Sequence, residues 1–339
     1  PFDSGGSSAE LRRVFNMPAV GDIRNRLMAL ADQSIKGHPE IYALFSHRLP
    51  LYGHQDELKK ELQGFASGKH PYVANVPDPM RKIIKHHLVS FSRSMPGDFD
   101  LRGASLGNLV LTAGYLESDR HLDPVIFIYS KLVEVRGTVR PVVNNDAHLA
   151  AELADGQTVI GQHLLTGKGA SPLQSAIKTM FLVKSLQNPE PVQVGIRDKI
   201  TDLIQSADLI CYPMGSFYTS LLANLLPEGV AGAVAATSCP KVYVPNTFAD
   251  PECQGLDLCG QVDRLLTQLL GRDYDPRACS RVLNFLLVDD DEQHYVNGIP
   301  YDFLKQRGIA VLRTRLVTDG GSAQVNPHRL ADILLSLSV

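Results

Sequence analysis

The second half of the chain alternates short apolar runs with segments of helical period. From about residue 190 onward, each apolar run is followed by a segment whose apolar residues recur every three or four positions. In chain order the apolar runs are PVQVGI, DLICY, KVYVPN, RVLNFLLV and AVLRTRLV. Runs without strict apolar–polar alternation are typical of strands covered on both faces. Strands alternating with helices predict an α/β fold with a Rossmann-like, doubly wound, mainly parallel sheet.

The first third of the chain predicts helices instead. Residues 9–31 indicate a helix interrupted at Pro18 and Gly21, and residues 106–117 indicate another helix. Residues 37–100 are rich in Lys, His and Pro and contain helical stretches such as HQDELKKELQGFA. We expect them to form a helical insertion or cap within a single α/β domain that covers the whole chain.

Two further segments predict β-structure. The run VIFIYS at residues 125–130 predicts a buried strand. Residues 148–165 predict a β-hairpin, because apolar and polar residues alternate around Asp155-Gly156, a dipeptide that favours a type I′ turn.

Composition narrows the functional classes. The chain has 339 residues, of which 44% are hydrophobic, so a sizeable core is expected. A net charge of -3 disfavours nucleic-acid binding, which needs a basic face. The five cysteines include no Cys-x-x-Cys pair, which disfavours a zinc site and fits a reducing cytoplasm. Neither a membrane span nor a signal peptide is expected from the apolar pattern.

Two glycine–serine segments are candidate anion sites. In DSGGSS, at residues 3–8, glycines let backbone amides approach a ligand, and the following helix N-terminus attracts anions. YPMGSFYTS follows an apolar run and places Gly215 and Ser216 before a helix, a geometry that suits phosphate. Asn246 ends another run, where a base or sugar could be contacted. A capped loop or an ordinary turn explains each segment equally well when it is taken alone.

Three other motifs are weaker evidence for a functional site. GASLG, at residues 103–107, matches a nucleophile elbow around Ser105, but the preceding PGDFDLR is too polar for the required strand. Ser105 is therefore the weakest catalytic hypothesis, that of a serine hydrolase. DDDE, at residues 289–292, predicts a solvated acidic turn. His86-His87 predicts two surface side chains, because adjacent helical residues point about 100° apart.

Five segments taken together resemble the CofD-like family. In chain order they are DSGGSSAELRR, PAVGDIRNRLMALAD, GASLGNLVLTA, ADLICYPMGSFYTSLLANLLPEGV and KVYVPN. The resemblance extends from residue 3 to about residue 265. The family begins with a strand and a glycine-rich nucleotide loop, which we expect to be absent from this chain.

The resemblance implies one of two activities. One branch of the family, the 2-phospho-L-lactate transferases, moves a phospholactyl group from lactyl-diphospho-guanosine to the deazaflavin precursor Fo with magnesium. The other branch, the YvcK-type proteins, binds a UDP-sugar and regulates carbon metabolism and cell-wall synthesis. We expect the transferase activity first and the regulatory role as the alternative. Either implies a nucleoside diphosphate partner, linked to GDP or UDP, and a homodimer is possible.

The resemblance also implies site residues. Asp3 would bind Mg²⁺ or accept a proton, and Arg24 would meet the developing negative charge. The expected ligand-binding residues are Gly5, Gly6, Ser7, Ser8, Asp22, Asn25, Gly107, Asn108, Gly215, Ser216, Tyr218, Thr219, Ser220 and Asn246. The chain departs from the family pattern at Ser4, where relatives often carry a second acidic residue, and at Met214, so we expect a divergent branch.

Overall fold

A computed structural model describes residues 2–34, 37–166, 171, 173–318 and 323–338. The chain divides into two compact units, Pro1–His148 and Leu149–Val339. Among the described residues, no helix combines the length and the apolar character that crossing a bilayer requires.

The first unit is built from helices. Its described residues form α1 (Gly6–Phe15), α2 (Gly21–Ala29), α3 (Pro39–Ser46), α4 (Gln55–Ser67), α5 (Pro71–Ala74), α6 (Met80–Ser94), α7 (Leu106–Glu117) and α8 (Leu122–Leu132). Helix α7 is buried from Leu106 to Tyr115 and packs against α1, α2, α3, α6 and α8. A helix that is apolar on all sides is expected at such a central position.

The helices within residues 37–100 contribute to the same core as α7. In α4, Leu58, Leu62 and Phe65 are buried at spacings of four and three residues, which places them on one side of the helix. Phe65 and Phe91 of α6 are fully buried in the cluster that contains the apolar residues of α7. Burial of this apolar face, more than helix propensity, stabilises such helices.

The strand predicted at residues 125–130 is wrong, because this run belongs to α8. Val125, Ile126 and Tyr129 are buried, whereas Phe127 is 58% exposed. Because the exposed Phe127 is itself apolar, the sequence shows a continuous apolar run in which the helical spacing of the buried residues is hidden. Short apolar runs are ambiguous between helix and strand for this reason.

The second unit contains the sheets. In chain order its elements are β1 (His148–Leu153), β2 (Thr158–Ile160), α9 (Gln162–Leu165), β3 (Ile177–Val183), α10 (Asp198–Gln205), β4 (Ile210–Tyr212), α11 (Val230–Ala236), β5 (Lys241–Tyr243), α12 (Leu258–Leu270), β6 (Phe285–Asp289), α13 (Tyr301–Gln306), β7 (Ala310–Thr314) and α14 (Pro327–Leu337). Among its described residues one sheet is parallel, with the strand order β4-β5-β6-β7. The predicted α/β class with a parallel sheet is confirmed.

The parallel sheet is covered on both faces at its centre. Leu286, Leu287 and Val288 of β6 are completely buried although they are consecutive, so side chains on both faces of the strand are enclosed. Helix α12 begins at an Asp257 cap, whose carboxylate accepts the Gly260 amide at 2.9 Å. The four described strands of this sheet follow chain order without a reversal.

Three local expectations are resolved in this unit. The hairpin is present, with β1 antiparallel to β2. Its turn is not type I′, which requires two positive φ angles, because only Gly156 has one (+86°). PVQVGI forms isolated bridges rather than a strand. The segment after β4 is a π-helical turn, Phe217–Leu221, followed by a 3₁₀ turn, Leu222–Leu225, and not a regular α-helix.

Candidate functional site

The chain turns sharply before α1 and leaves amides uncapped there. Asp3 Oδ1 accepts the Gly5 amide at 3.0 Å. The Ala9 amide donates to the Gly5 carbonyl at 3.3 Å, so the amides of Gly6, Ser7 and Ser8 precede the first bond of the helical ladder. Gly6 has a φ of +52°, and a Cβ there would meet no atom within 4 Å. The start of α1 is thus an open, positively polarised group of donors.

Helix α2 begins directly against this turn. A Cβ on Gly21 would lie 2.4 Å from Ser8 Oγ and 2.7 Å from Asp3 Oδ2, so only glycine allows this approach. Asp22 lies in the first turn of α2. Two helix N-termini therefore lie side by side with the Asp3 carboxylate next to Gly21.

Helix α7 supports the start of α1 from the core side. Asn108 is buried, and its Nδ2 donates to Ser7 Oγ at 3.1 Å. Asn108 Oδ1 is also buried and has no hydrogen-bond partner among the described residues. Gly107 acts through packing, because a Cβ there would lie 2.6 Å from the Tyr129 hydroxyl and 2.9 Å from Arg24 Cδ.

Arg24 is a buried cation that no carboxylate of the described residues neutralises. Its side chain is 7% exposed, and its Nη2 donates to Asn25 Oδ1 at 2.6 Å. Its Nε is buried with no hydrogen-bond partner in the described part of the chain, and no carboxylate pairs with it there. Burial lowers the pKa of Arg24, and the charge of Arg48 lowers it further. Two like charges near each other, with no carboxylate between them, favour an incoming anion.

The predicted loop of the second unit is tied to Asn246. The Gly215 amide donates to Asn246 Oδ1 at 3.0 Å, and Asn246 Nδ2 donates to the Gly215 carbonyl at 2.7 Å. Asn246 therefore binds the loop through both ends of its amide. Gly215 has a φ of +146°, a conformation that favours glycine. Ser216 is half-buried and Ser220 is exposed.

The helical segment after this loop already carries anions of its own. The Phe217 amide donates to Asp250 Oδ2 at 2.7 Å. The Tyr218 and Thr219 amides donate to Glu252 Oε2 at 3.1 and 2.9 Å, and Thr219 Oγ1 donates to Glu252 Oε1 at 2.6 Å. Burial raises the pKa of Glu252, although these bonds oppose the rise. A phosphate at these amides would have to displace a buried glutamate.

The structure therefore assembles the predicted residues in two groups. In the first unit, direct contacts or close approaches connect Asp3, Gly5, Ser7, Ser8, Gly107, Asn108, Arg24 and Asn25. In the second unit, Gly215 and Asn246 form one pair, whereas Tyr218 and Thr219 are buried against Glu252.

Sequence reasoning missed the roles of four residues at these two groups, Arg48, Asp250, Glu252 and Gly21. Arg48 lies far from Arg24 in the sequence, and no motif surrounds it. Glu252 and Asp250 follow a loop in which nothing signals a cap for a helix more than thirty residues earlier. A glycine before Asp22 was visible, but its close approach to Ser8 depends on tertiary packing.

Three weaker motifs also have clear outcomes. Ser105 is fully buried and follows no named strand, so the context of a nucleophile elbow is missing. The surface prediction is wrong for His87, which is 6% exposed, and both His86 and His87 contact the Glu117 carboxylate at 3.0 Å. The acidic turn is wrong for Asp289, which is 2% exposed and accepts the amides of neighbouring loop residues.

Comparison with known proteins shows which family the chain belongs to. Residues 2–317 match the family described as "2-phospho-L-lactate transferase CofD". The chain belongs to the CofD family. This membership confirms the resemblance drawn from the five sequence segments.

Relatives within the CofD family carry a second name. The "Gluconeogenesis factor" of Bacillus subtilis (strain 168) is 29% identical over 99% of this chain and 87% of its own length. The protein of the same name from Listeria innocua is 29% identical over 99% of this chain and 85% of its own length. The crystal structure of protein BH3568 from Bacillus halodurans has a TM-score of 0.68 at 23% identity, covering 98% of this chain and 89% of that one. The CofD-type fold is thereby shown.

The residues present fit a magnesium ion that is shared with a ligand. Mg²⁺ takes oxygen ligands and is usually bound through one or two carboxylates together with substrate phosphates. Asp3 offers such a carboxylate beside the open amides of α1. Among the described residues, no three His, Cys, Asp or Glu side chains are grouped to hold a metal by themselves. Any magnesium here would need oxygens from the ligand.

Proposed function

We propose that the chain binds a ligand linked to a nucleoside diphosphate, with the diphosphate at the start of α1, and acts as a regulator of the gluconeogenesis-factor type. The observation that carries this proposal is Arg24, a buried guanidinium that no carboxylate pairs with in the described residues. The name of the Bacillus subtilis and Listeria relatives supports the regulatory role.

The unpaired positive charge of Arg24 supports a phosphate at the start of α1. A buried charge without a partner costs several kcal/mol, so proteins normally pair it. Within the described residues neither the buried Arg24 nor the exposed Arg48 forms an ion pair, and their hydrogen bonds go to neutral oxygens, of Asn25 and Gly103. A diphosphate would supply the missing negative charge, and an arginine fork binds phosphate oxygens in pairs.

The backbone supports the same ligand. The amides of Gly6, Ser7 and Ser8 are the donors that helix N-termini offer to phosphate. Asn108 and Ser7 form a polar support behind them, and the unused Asn108 Oδ1 is an acceptor for a ligand hydroxyl or a water. Asp3 would hold Mg²⁺ together with the diphosphate oxygens.

A second candidate function is phospholactyl transfer, which the description of the matching family favours. In that reaction an acceptor hydroxyl would attack the phosphorus that bears the lactyl group. A new P–O bond would form, the bond to the nucleotide phosphate would break, and nucleoside monophosphate would leave. Asp3 would take the hydroxyl proton and Arg24 would stabilise the charge on the phosphoryl oxygens.

Calorimetric titration of three proteins tests the binding proposal. UDP-glucose and GDP are titrated, with and without Mg²⁺, into the wild type, Arg24→Gln and Arg26→Gln. Arg26 is the matched control, because it is an exposed arginine of the same helix. We expect Arg24→Gln to weaken binding at least about tenfold and Arg26→Gln to leave it unchanged. Equal affinities in all three folded proteins would contradict the proposal.

A second assay separates regulation from transfer. The wild type is incubated with lactyl-diphospho-guanosine, Fo and Mg²⁺, and the release of GMP is measured. We expect binding without turnover. Release of GMP that Asp3→Asn abolishes would establish the transferase instead. Asp3→Asn is also expected to reduce the effect of Mg²⁺ on nucleotide affinity.

A further inference from the structure

A cavity of about 210 Å³ lies in the second unit, and none of the residues assigned above to phosphate binding lines it. Strand β3 supplies Lys178 and helix α12 supplies Arg264 and Gln268. The helical segment after β4 contributes Tyr218 and Leu222, both of which are buried. The cavity thus combines cationic and polar groups with an apolar surface, as small-molecule sites commonly do.

Two of the three cations at this cavity pair with no carboxylate of the described residues. Lys178 Nζ pairs with Glu152 Oε1 at 2.6 Å, which neutralises it. Arg264 Nη1 donates only to the Lys178 carbonyl, at 2.8 Å. Neither Arg264 nor Arg272 forms an ion pair with any carboxylate in the described part of the chain, so two positive charges remain uncompensated at one small cavity.

The position of Arg264 does not follow from helix electrostatics. A cation near a helix C-terminus is stabilised by the helix dipole, and this accounts for Arg272, which follows the end of α12. Arg264 lies in the middle of α12 instead, and it is half-buried. Its bond to the β3 backbone fixes one arm of the guanidinium, which leaves Nε and Nη2 for another acceptor. An arginine fixed in this way can bind an anion through two parallel hydrogen bonds, from Nε and Nη2.

We propose that this cavity binds a small organic phosphate ester. The two uncompensated guanidinium groups match a phosphate dianion, and the apolar surface of Tyr218 and Leu222 matches the organic part of the ester. The cavity volume limits the occupant to a small molecule rather than a dinucleotide. This site is separate from the diphosphate site proposed at α1, and it does not depend on it.

An occupant of this cavity would also affect the loop that precedes it. Tyr218 and Leu222 belong to the segment that starts directly after Gly215 and Ser216. The Tyr218 amide is bound by Glu252 and its hydroxyl donates to the Ile177 carbonyl at 3.3 Å. A ligand packed on this side chain would therefore stabilise the segment that carries the Asn246-bound loop.

Titration with phenyl phosphate tests the proposal, with phenol as the neutral control ligand. The proteins are the wild type, Arg264→Gln, Arg272→Gln and Arg281→Gln, the last being an exposed arginine elsewhere in the same unit. Thermal midpoints confirm that each variant is folded. We expect phenyl phosphate to bind and phenol not to bind. Arg264→Gln should weaken binding about tenfold or more, Arg272→Gln less, and Arg281→Gln not at all.

The Arg24→Gln variant separates this site from the start of α1. Binding of phenyl phosphate that survives Arg24→Gln and is lost in Arg264→Gln supports the cavity. Binding that Arg264→Gln leaves unchanged, or the absence of binding to the wild type, overturns the proposal. If Arg24→Gln does not fold, the comparison of Arg264→Gln with Arg281→Gln still decides.

Discussion

The starts of two helical segments carry similar sequences but opposite electrostatics. Gly5 and the first turn of α1, Gly6–Ser8, present open amides, and the neighbouring helix carries a buried arginine that pairs with no carboxylate of the described residues. The segment Gly215–Thr219 follows β4, and its amides are bound by Asp250 and Glu252. A Gly-Ser turn before a helix thus indicates an anion, but the anion can be a ligand or a carboxylate of the chain itself.

The difference lies in what each fold places opposite the helix. At α1, Gly21 and Asn108 bring a bare backbone and an amide, and the Asp3 carboxylate accepts the amide of Gly5 rather than those of Gly6 to Ser8. After β4, the facing loop brings two carboxylates, one of them 4% exposed. A carboxylate that accepts helix amides satisfies them as a phosphate would. The following predictions test this contrast, from the largest expected effect to the smallest.

Removing the internal carboxylate should cost the most stability. Glu252→Ala leaves the amides of Tyr218 and Thr219 and the Thr219 hydroxyl buried without acceptors. We expect the free energy of unfolding to fall by about 3 kcal/mol, measured by urea denaturation. Glu228→Ala, at an exposed glutamate of the same unit, should change it by less than about 0.5 kcal/mol. Similar losses in both variants would refute the internal-anion role.

Filling the gap between α1 and α2 should damage the open site. Gly21→Ala forces a methyl group against Ser8 Oγ and Asp3 Oδ2. We expect a loss of about 1–3 kcal/mol of stability, and nucleotide affinity should fall as the turn shifts. Gly64→Ala is the matched control, because a Cβ within α4 meets no atom within 4 Å. It should stabilise the protein by about 0.5–1 kcal/mol. Tolerance of alanine at Gly21 would show that the close approach is absent in solution.

Loss of the Ser7 hydroxyl should have a smaller effect. Ser7→Ala removes the acceptor of Asn108 Nδ2, whose Oδ1 already lacks a partner. We expect about 1 kcal/mol of destabilisation in denaturant titrations without ligand. Bound nucleotide should reduce this loss, because a ligand can offer a new partner to Asn108. A variant that is equally destabilised with and without nucleotide would argue against ligand contact at Asn108.

The smallest expected effect is a pH dependence at Glu252. Burial raises its pKa in the folded protein, so proton uptake favours the folded state. The stability from this group is therefore present below its unfolded pKa and is lost as the pH rises through the folded value. Relative to Glu252→Gln, the wild type should lose stability as the pH rises from below the ordinary glutamate pKa through the raised pKa of the folded protein. A difference that is independent of pH would mean that Glu252 is not perturbed.

Local pattern predicted the second unit better than the first. The strands β4 to β7 and the helices α12 and α13 follow from apolar runs and amphipathic periods, because each element buries the face that its sequence presents. The strand predicted at residues 125–130 is wrong, because the exposure of Phe127 is decided by tertiary packing. The α-helix predicted after β4 is wrong for another reason. The turns of Phe217–Leu225 depart from α-helical bonding where the Glu252 carboxylate accepts the amides.

The candidate site shows the same limit. Glycine and serine at residues 5–8 predict an anion site from the sequence alone, because backbone freedom and helix polarity are local properties. The role proposed for Arg24 rests on its burial beside α7 and on the lack of a carboxylate partner among the described residues, and no spacing in the sequence predicts that the charge of Arg48 acts on it. Pairing and burial of charges are long-range outcomes of the fold, so a single sequence predicts the donors of a site more readily than their partners.

The most direct test of this contrast is a crystal structure of the protein with GDP or UDP-glucose and Mg²⁺. The account predicts diphosphate oxygens within hydrogen-bond distance of the amides of Gly6 to Ser8 and close to the Arg24 guanidinium, with Glu252 still bound to Tyr218 and Thr219. A diphosphate bound to the amides of Phe217 to Thr219, with Glu252 displaced and the start of α1 empty, would contradict it.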